Sequence, residues 1–150
     1  MTFEGRKGTR GGKQLGGPVI RTINKVVGPL VRLGMKSALG FHFLILTTIG
    51  AKSGQTRSTP LACFPDGDGW LVVASAFGSV NNPAWYYNVA AHPDRVSIQY
   101  GRRHYDVVAE ELHGDDRDRA WTKITTSKRE FAGYAEKTDR LIPVIRLTPR

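Results

Sequence analysis

The sequence holds a single cysteine, Cys63, in 150 residues. No internal disulfide can form, which fits a reducing cytoplasm. Cys63 lies in an extended run, Pro60 to Pro65, and is expected to be a buried apolar filler. The four histidines, His42, His92, His104 and His113, are scattered. No Cys/His set has metal-ligand spacing, so no metal site is expected. No apolar run approaches the roughly 20 residues of a membrane span. The basic N-terminus is followed by no apolar core and no small-residue cleavage site, so no secretory signal is read.

Several catalytic frames are missing too. Lys52-Ser53 stands outside the G-x-x-x-x-G-K-[ST] frame, and a hairpin follows it where a phosphate loop needs a helix. There is no G-x-S-x-G elbow and no C-x-x-C. Hydrolase chemistry is therefore disfavoured. Alternating βαβ units are absent, which argues against a Rossmann fold.

Charge is present, and unevenly. The net charge is +9. Residues 1–40 carry eight Lys/Arg against Glu4 alone, while the other 110 residues carry fourteen against twelve acids. Residues 1–17 are basic and Gly-rich, cannot bury a core, and are expected to be a disordered tail. Residues 18–40 read as a weakly amphipathic helical segment that Gly28-Pro29 should kink or divide. This arm is expected either to pack on the domain or to touch an anionic membrane surface. It carries no aromatic interleaving, so no nucleic-acid partner is expected. The localisation read from these features is cytoplasmic, with peripheral membrane association through residues 1–40.

The chain is organised around residues 43–61. Phe43 to Ile49 is an apolar, β-branched run that reads as a buried strand. It breaks at Gly50, and a second extended run starts at Thr56. The tip between them holds Lys52, Ser53, Gly54 and Gln55, with Arg57 just beyond. Glycines allow such a tip to turn N–H groups outward as an anion cradle. Further strands follow at Leu61 to Phe64, Trp70 to Ala76, Val96 to Tyr100, His104 to Leu112 and Ile142 to Leu147. Asp66-Gly67-Asp68-Gly69 marks a tight turn. Asn82-Pro83 reads as N-cap and first position of a short helix over Ala84 to Ala91. Helices are also expected from Asp115 and near Glu130 to Lys137. About six strands joined mostly by tight turns argue for a closed antiparallel barrel. Residues 41–150 are expected to form that domain.

Three stretches make a binding constellation. The cationic tip is one. Val73-Ala74-Ser75-Ala76 is another, with small residues against which a flat ring can lie. Asn82 to Asn88 adds a helix N-terminus, favourable to anions, and the aromatics Trp85, Tyr86 and Tyr87. Core packing is the competing reading for Trp85 and Tyr86. A planar cofactor with an anionic tail would use all three.

Thr47 to Leu61, then Val73-Ala74-Ser75, then Asn82-Pro83-Ala84-Trp85-Tyr86-Tyr87-Asn88 resemble the deazaflavin-dependent nitroreductase family of actinobacteria. Thr138-Asp139-Arg140 and Ile142-Pro143-Val144 match it as well. The resemblance covers roughly residues 41–148. It implies a mainly β fold with flanking helices, the FMN-binding split β-barrel, and coenzyme F420, an 8-hydroxy-5-deazaflavin with a polyanionic phospholactate–glutamate tail. By matching position, Lys52, Ser53, Gly54, Gln55 and Arg57 would hold phosphate and tail. Ala74, Ser75 and Ala76 would line the deazaflavin, and Trp85, Tyr86 and Asn88 would complete that pocket. The implied reaction is hydride transfer from reduced F420 to a small lipophilic electrophile: a quinone, an activated alkene or a nitro compound. Ser75 or water would supply the proton, and Tyr134 would face the acceptor. The chain departs from family pattern at Ala51 and Ala76, where basic residues often stand. It also departs at Lys128 and Phe131, where tyrosines wall a nitroimidazole site. A non-catalytic F420 carrier is the alternative; an FMN enzyme is disfavoured.

Overall fold

The computed structural model describes residues 3–11, 23–38, 40–75 and 81–150. Among them seven strands form one antiparallel sheet: β1 (Ser37–Ala38), β2 (Phe41–Ile49), β3 (Thr56–Asp66), β4 (Gly69–Val73), β5 (Val96–Tyr100), β6 (Arg103–Glu111) and β7 (Val144–Pro149). Their order is β1-β2-β3-β4-β7-β6-β5, and β2 also pairs with β5. That extra pairing closes β2 to β7 into a six-stranded barrel, as expected, and leaves β1 as a short addition to β2.

β2 explains why its sequence shows no alternation. Leu44 and Leu46 point into the barrel. Phe43 and Ile45 point outward, yet they are covered by Val27 and Val31. Both faces are buried, so both must be apolar. The cover is a single π-helical turn, Ile23–Val27, running into a short helix, α1 (Gly28–Arg32). Gly28 and Pro29 open α1, where the π-helical turn gives way to an α-helical one.

Another outer face is covered by α3 (Gly114–Ser127) and α4 (Glu130–Lys137), with α2 (Ala84–Ala91) between β4 and β5 in sequence. Ala120 and Ile124 of α3 and Phe131 of α4 pack on Phe64, Leu71 and Val144. Asp66 staples α3 to the barrel, accepting from Lys123 Nζ at 2.9 Å and Arg146 Nη2 at 3.0 Å. Inside the barrel, Val72, Ile98, Ile145 and Leu147 meet Trp85, Tyr86 and Val89 of α2, which plugs the end where β2 finishes and β3 begins. Cys63 is buried among them, and burial pushes its thiol up to about 12.

The basic tail differs from expectation over residues 3–11. These residues lie along the plugged end and hydrogen-bond to it. Glu4 N–H donates to Glu111 Oε2 at 2.9 Å, and Gly5 N–H to the Tyr86 hydroxyl at 2.7 Å. Thr9 and Arg10 N–H both donate to Asp139 Oδ1 at 2.8 Å. A Gly-rich chain cannot bury a core of its own, but its backbone donors can satisfy acceptors that another core leaves at its edge. Residues 12–17, and 18–22 of the helical segment, lie outside the described residues.

Candidate functional site at the plugged end of the barrel

The tip joining β2 to β3 is built by its own backbone. Gly50 N–H donates to Gln55 O at 2.7 Å, and Gly54 N–H to Gly50 O at 2.9 Å. Gly54 holds φ at +69°, a conformation that side-chain-bearing residues rarely adopt. A Cβ on Gly50 would collide with Ser53 Oγ. That hydroxyl accepts from Gln55 N–H at 3.1 Å, and its own hydrogen can still donate. Ala51 N–H donates to Asn88 Oδ1 at 2.9 Å, and Asn88 Nδ2 reaches Thr48 Oγ1 at 3.4 Å. So the N–H groups of Gly50, Ala51, Gly54 and Gln55 are engaged within the protein. The expected outward cradle of backbone donors does not form at those four positions. Lys52 and Arg57 carry the attraction for anions instead, and both side chains are exposed. Arg57 pairs with Thr48 across the ladder, at the rim of the barrel.

Asn88 therefore braces the tip against α2. Trp85 and Tyr86 face the other way. They are 9% and 1% exposed and belong to the barrel core. Both rings pack in the barrel core, where an apolar barrel end needs a plug. Ala74 is likewise turned inward and fully buried. Ser75 follows it and is half-buried. Val73, the last residue of β4, packs in the α3–α4 cluster with Tyr134. Ala76 lies outside the described residues. Tyr134 is half-buried, its ring edge-on to Phe131 at 5.5 Å. Desolvation pushes its phenol above the ordinary value. Lys128 Nζ stands over the Phe41 ring at 4.5 Å.

Two groups escaped sequence reasoning. The first is Glu111. Alternation in β6 places it inward with Val107 and Ala109, where an apolar residue is expected. Its carboxylate is instead satisfied by the Tyr86 hydroxyl, by Glu4 N–H and by His113 Nε2 at 3.3 Å. Burial and the adjacent carboxylate push the Tyr86 phenol well above its usual range. The second is Arg140, 4% exposed. Its Nη1 donates to Ala74 O at 2.9 Å and to Asn82 Oδ1, and its Nη2 to Ser75 O at 2.7 Å. Asn82, expected to cap α2, gives its side-chain oxygen to Arg140 instead, and α2 begins without a side-chain cap. The Thr138-Asp139-Arg140 run was the one sequence signal for this corner, but a run does not show what its arginine touches. A cavity of about 300 Å³ lies here, under residues 4–9 and beside Glu111, His113, Arg117 and Asp139.

This barrel, with its cationic tip beside a clamped strand end, has known counterparts. The model of the F420H(2)-dependent quinone reductase family matches residues 8–149. The chain belongs to that family. An F420H(2)-dependent quinone reductase of Mycobacterium tuberculosis is 39% identical over 110 residues, covering 71% of this chain and 73% of that protein. A second relative from the same organism, a putative F420H(2)-dependent quinone reductase, is 36% identical over 120 residues, covering 80% of this chain and all of that protein. Among solved structures, an F420-H2 dependent reductase superposes with a TM-score of 0.64 at 40% identity, over 70% of this chain and 92% of that one.

Coenzyme F420 is the family's cofactor, and the tip fits its tail. Two exposed cations at a rim suit a polyanion better than a neutral group. Of the residues expected around the ring, Ala74, Trp85 and Tyr86 pack in the barrel core and Ser75 is half-buried.

Proposed function

We propose that this protein is an F420H2-dependent reductase that passes a hydride to a quinone. The observation that carries the reading is the family match across residues 8–149, in a chain whose barrel rim offers exposed cations to a polyanionic tail. Reduced F420, when bound, supplies the hydride. The quinone gains that hydride and one proton and leaves as the hydroquinone.

The chain's own residues bind and orient. Lys52 and Arg57 attract the phosphate and glutamate carboxylates, and the Ser53 and Gln55 side chains donate to them. Asn88 holds the tip in register with α2. Ser75, just beyond β4, is the hydroxyl that supplies or relays the proton, with water as the other source. Tyr134 faces the acceptor oxygen from the α3–α4 side. Nitro compounds and activated alkenes belong to the same acceptor class, since each takes a hydride at an electron-poor atom. Lys128 and Phe131, in place of tyrosines, make nitroimidazoles the weaker candidates.

The acceptor is lipophilic, and one surface suits a lipid boundary. Val26, Leu30 and Leu33 are 56%, 45% and 75% exposed. Their spacing sets them along one stripe, with Lys25 and Arg32 beside it. No helix among the described residues is long and apolar enough to cross a membrane. Peripheral contact with an anionic bilayer is the mode this stripe suits.

The test is direct. Reduced F420 is mixed with protein and menadione, and the visible absorbance of oxidised F420 should grow in with enzyme concentration. Tight binding without turnover, across a panel of quinones, would favour the F420 carrier. No binding at all would end the reading.

A further inference from the structure

One side chain joins the end of β4 to the start of α2. Ala74 and Ser75 follow β4, Asn82 precedes α2, and Arg140 bonds all three. A guanidinium is a rigid planar fork. Its two terminal nitrogens therefore fix the spacing and tilt of the end of β4 relative to the start of α2. Ala74 is tied a second time, its N–H donating to Pro143 O at 3.0 Å. The corner is thus tied twice on the β4 side, while on the α2 side Asn82 bonds Arg140 and, more weakly, the Tyr87 hydroxyl at 3.5 Å.

Arg140 is itself held by the strap. Its N–H donates to Thr138 Oγ1 at 3.1 Å, and the Thr138 hydroxyl donates to Arg10 O at 2.6 Å. Asp139 N–H donates to Arg10 O at 3.2 Å. The Asp139 carboxylate accepts from Thr9 N–H, the Thr9 hydroxyl and Arg10 N–H. Residues 9–10 and 138–139 are thereby zipped together directly before the clamping arginine. A segment with no motif of its own completes the support of a distant corner.

We propose that Arg140 is a positioning residue for the cofactor site: its fork sets where Ala74 and Ser75 stand relative to Asn82, and the docking of Thr9–Arg10 on Thr138–Asp139 holds the fork in place. The inference rests on the reading above, in which Ser75 supplies or relays the proton. Arg140 touches neither cofactor nor substrate. It acts through the carbonyls of Ala74 and Ser75 and through Asn82.

Hydrogen–deuterium exchange on the protein without F420 reads the clamp alone. Arg140→Lys keeps the charge but loses the fork. Amides of residues 74, 75, 82 and 84 should exchange at least tenfold faster, with β2 and β3 unchanged. Asp139→Asn, on the exposed strap side, should shift the same amides in the same direction by less. F420 affinity, followed by fluorescence titration, should fall about tenfold in Arg140→Lys, the size expected for hydrogen bonds to a charged group. KM for reduced F420 should rise more than KM for menadione. In Arg140→Ala, millimolar guanidinium should restore part of the affinity, which a mere packing defect would not allow. If Arg140→Ala does not fold, Arg140→Lys and Asp139→Asn decide. Unchanged exchange at residues 74, 75, 82 and 84 in Arg140→Lys would overturn the clamp. Faster exchange with unaltered F420 affinity would overturn its bearing on the site. Failure of the wild-type protein to bind F420 would remove the functional reading, while the exchange result would still judge the clamp.

Discussion

The hairpin tip and the Arg140 corner stand at the same end of the barrel and use charge in opposite ways. At the tip, Lys52 and Arg57 are exposed, and the loop under them is held by its own backbone and by Asn88. At the corner, Arg140 and Glu111 are buried and spend their bonding on carbonyls, hydroxyls and N–H groups of the protein. The difference separates two tasks. A cation facing water is available to a ligand and contributes little to folding. A buried ion must be satisfied from within, and its removal strands its partners. The tip is therefore where binding should be lost first, and the corner is where the fold should be lost first.

The largest break falls on the corner. Arg140→Ala deprives two carbonyls and the Asn82 side chain of their donor. It should cost about 3 kcal/mol of unfolding free energy, as expected when a buried network loses its centre. Urea melts of mutant and wild type check this. A change within about 0.5 kcal/mol, the usual size of a surface substitution, would place Arg140 with the tip cations.

The mirror experiment is Arg57→Ala. Its melt should match the wild type. Its F420 affinity should fall by about 1.5–3 kcal/mol, the range for hydrogen bonds to charged groups. Raising the salt should weaken wild-type binding and affect the mutant less. Affinity indifferent to both changes would mean that the tail binds elsewhere.

Tyr86→Phe sharpens the comparison inside the corner. It keeps the plug and removes one donor to Glu111, and one acceptor for Gly5 N–H. A loss of about 1–2 kcal/mol is expected, from a buried carboxylate left short of one bond. No loss would mean that water replaces the hydroxyl.

The two regions were not equally legible in the sequence. The tip is local: glycines, cations and the strands that carry it fall within residues 43–61, so pattern and motif place them together. The barrel was legible for the same reason, since its hairpins join neighbours in sequence. Trp85 and Tyr86 could not be assigned, because aromatics on a short helix suit a pocket wall and a core plug equally. The corner joins residues 4–10, 74–82, 111 and 138–140, and only the closed barrel brings those together. Glu111 was least legible of all: alternation marks it inward, and nothing near it in sequence announces Tyr86 and the strap as its partners.

A milder perturbation is acid. The bonds from Thr9 and Arg10 hold the Asp139 carboxyl at about 2, below its usual 3.8. A depressed carboxyl favours the docked strap above its ordinary value and loses that contribution as pH falls through the depressed one. Strap docking should therefore weaken between about pH 4 and pH 2, with faster amide exchange at residues 4–10 than pH alone produces. Asp139→Asn should show the weakened strap already at neutral pH and no further step in acid. Identical profiles in mutant and wild type would deny Asp139 this part.

The smallest expected effect is at Tyr134, between the two regions in character. Its ring is half-buried and packs on Phe131, as a core residue does, while its hydroxyl is the part that could meet a ligand. Tyr134→Phe separates the two. The ring contacts survive, so stability should change by less than about 0.5 kcal/mol, and F420 affinity should stay near normal. Lys128 and Phe131 offer a charge and a bare ring, so this phenol is the hydroxyl left on that segment to bond an acceptor oxygen. If that bond strengthens as negative charge develops on the quinone, kcat and kcat/KM should both fall, by about threefold to tenfold for a single neutral hydrogen bond. If it were made equally to bound quinone and to the transition state, KM would rise and kcat would hold. Steady-state kinetics with menadione tells these apart. Values unchanged in both parameters would assign Tyr134 to the α3–α4 packing alone and leave Ser75 or water as the nearest source of polar contact to the acceptor.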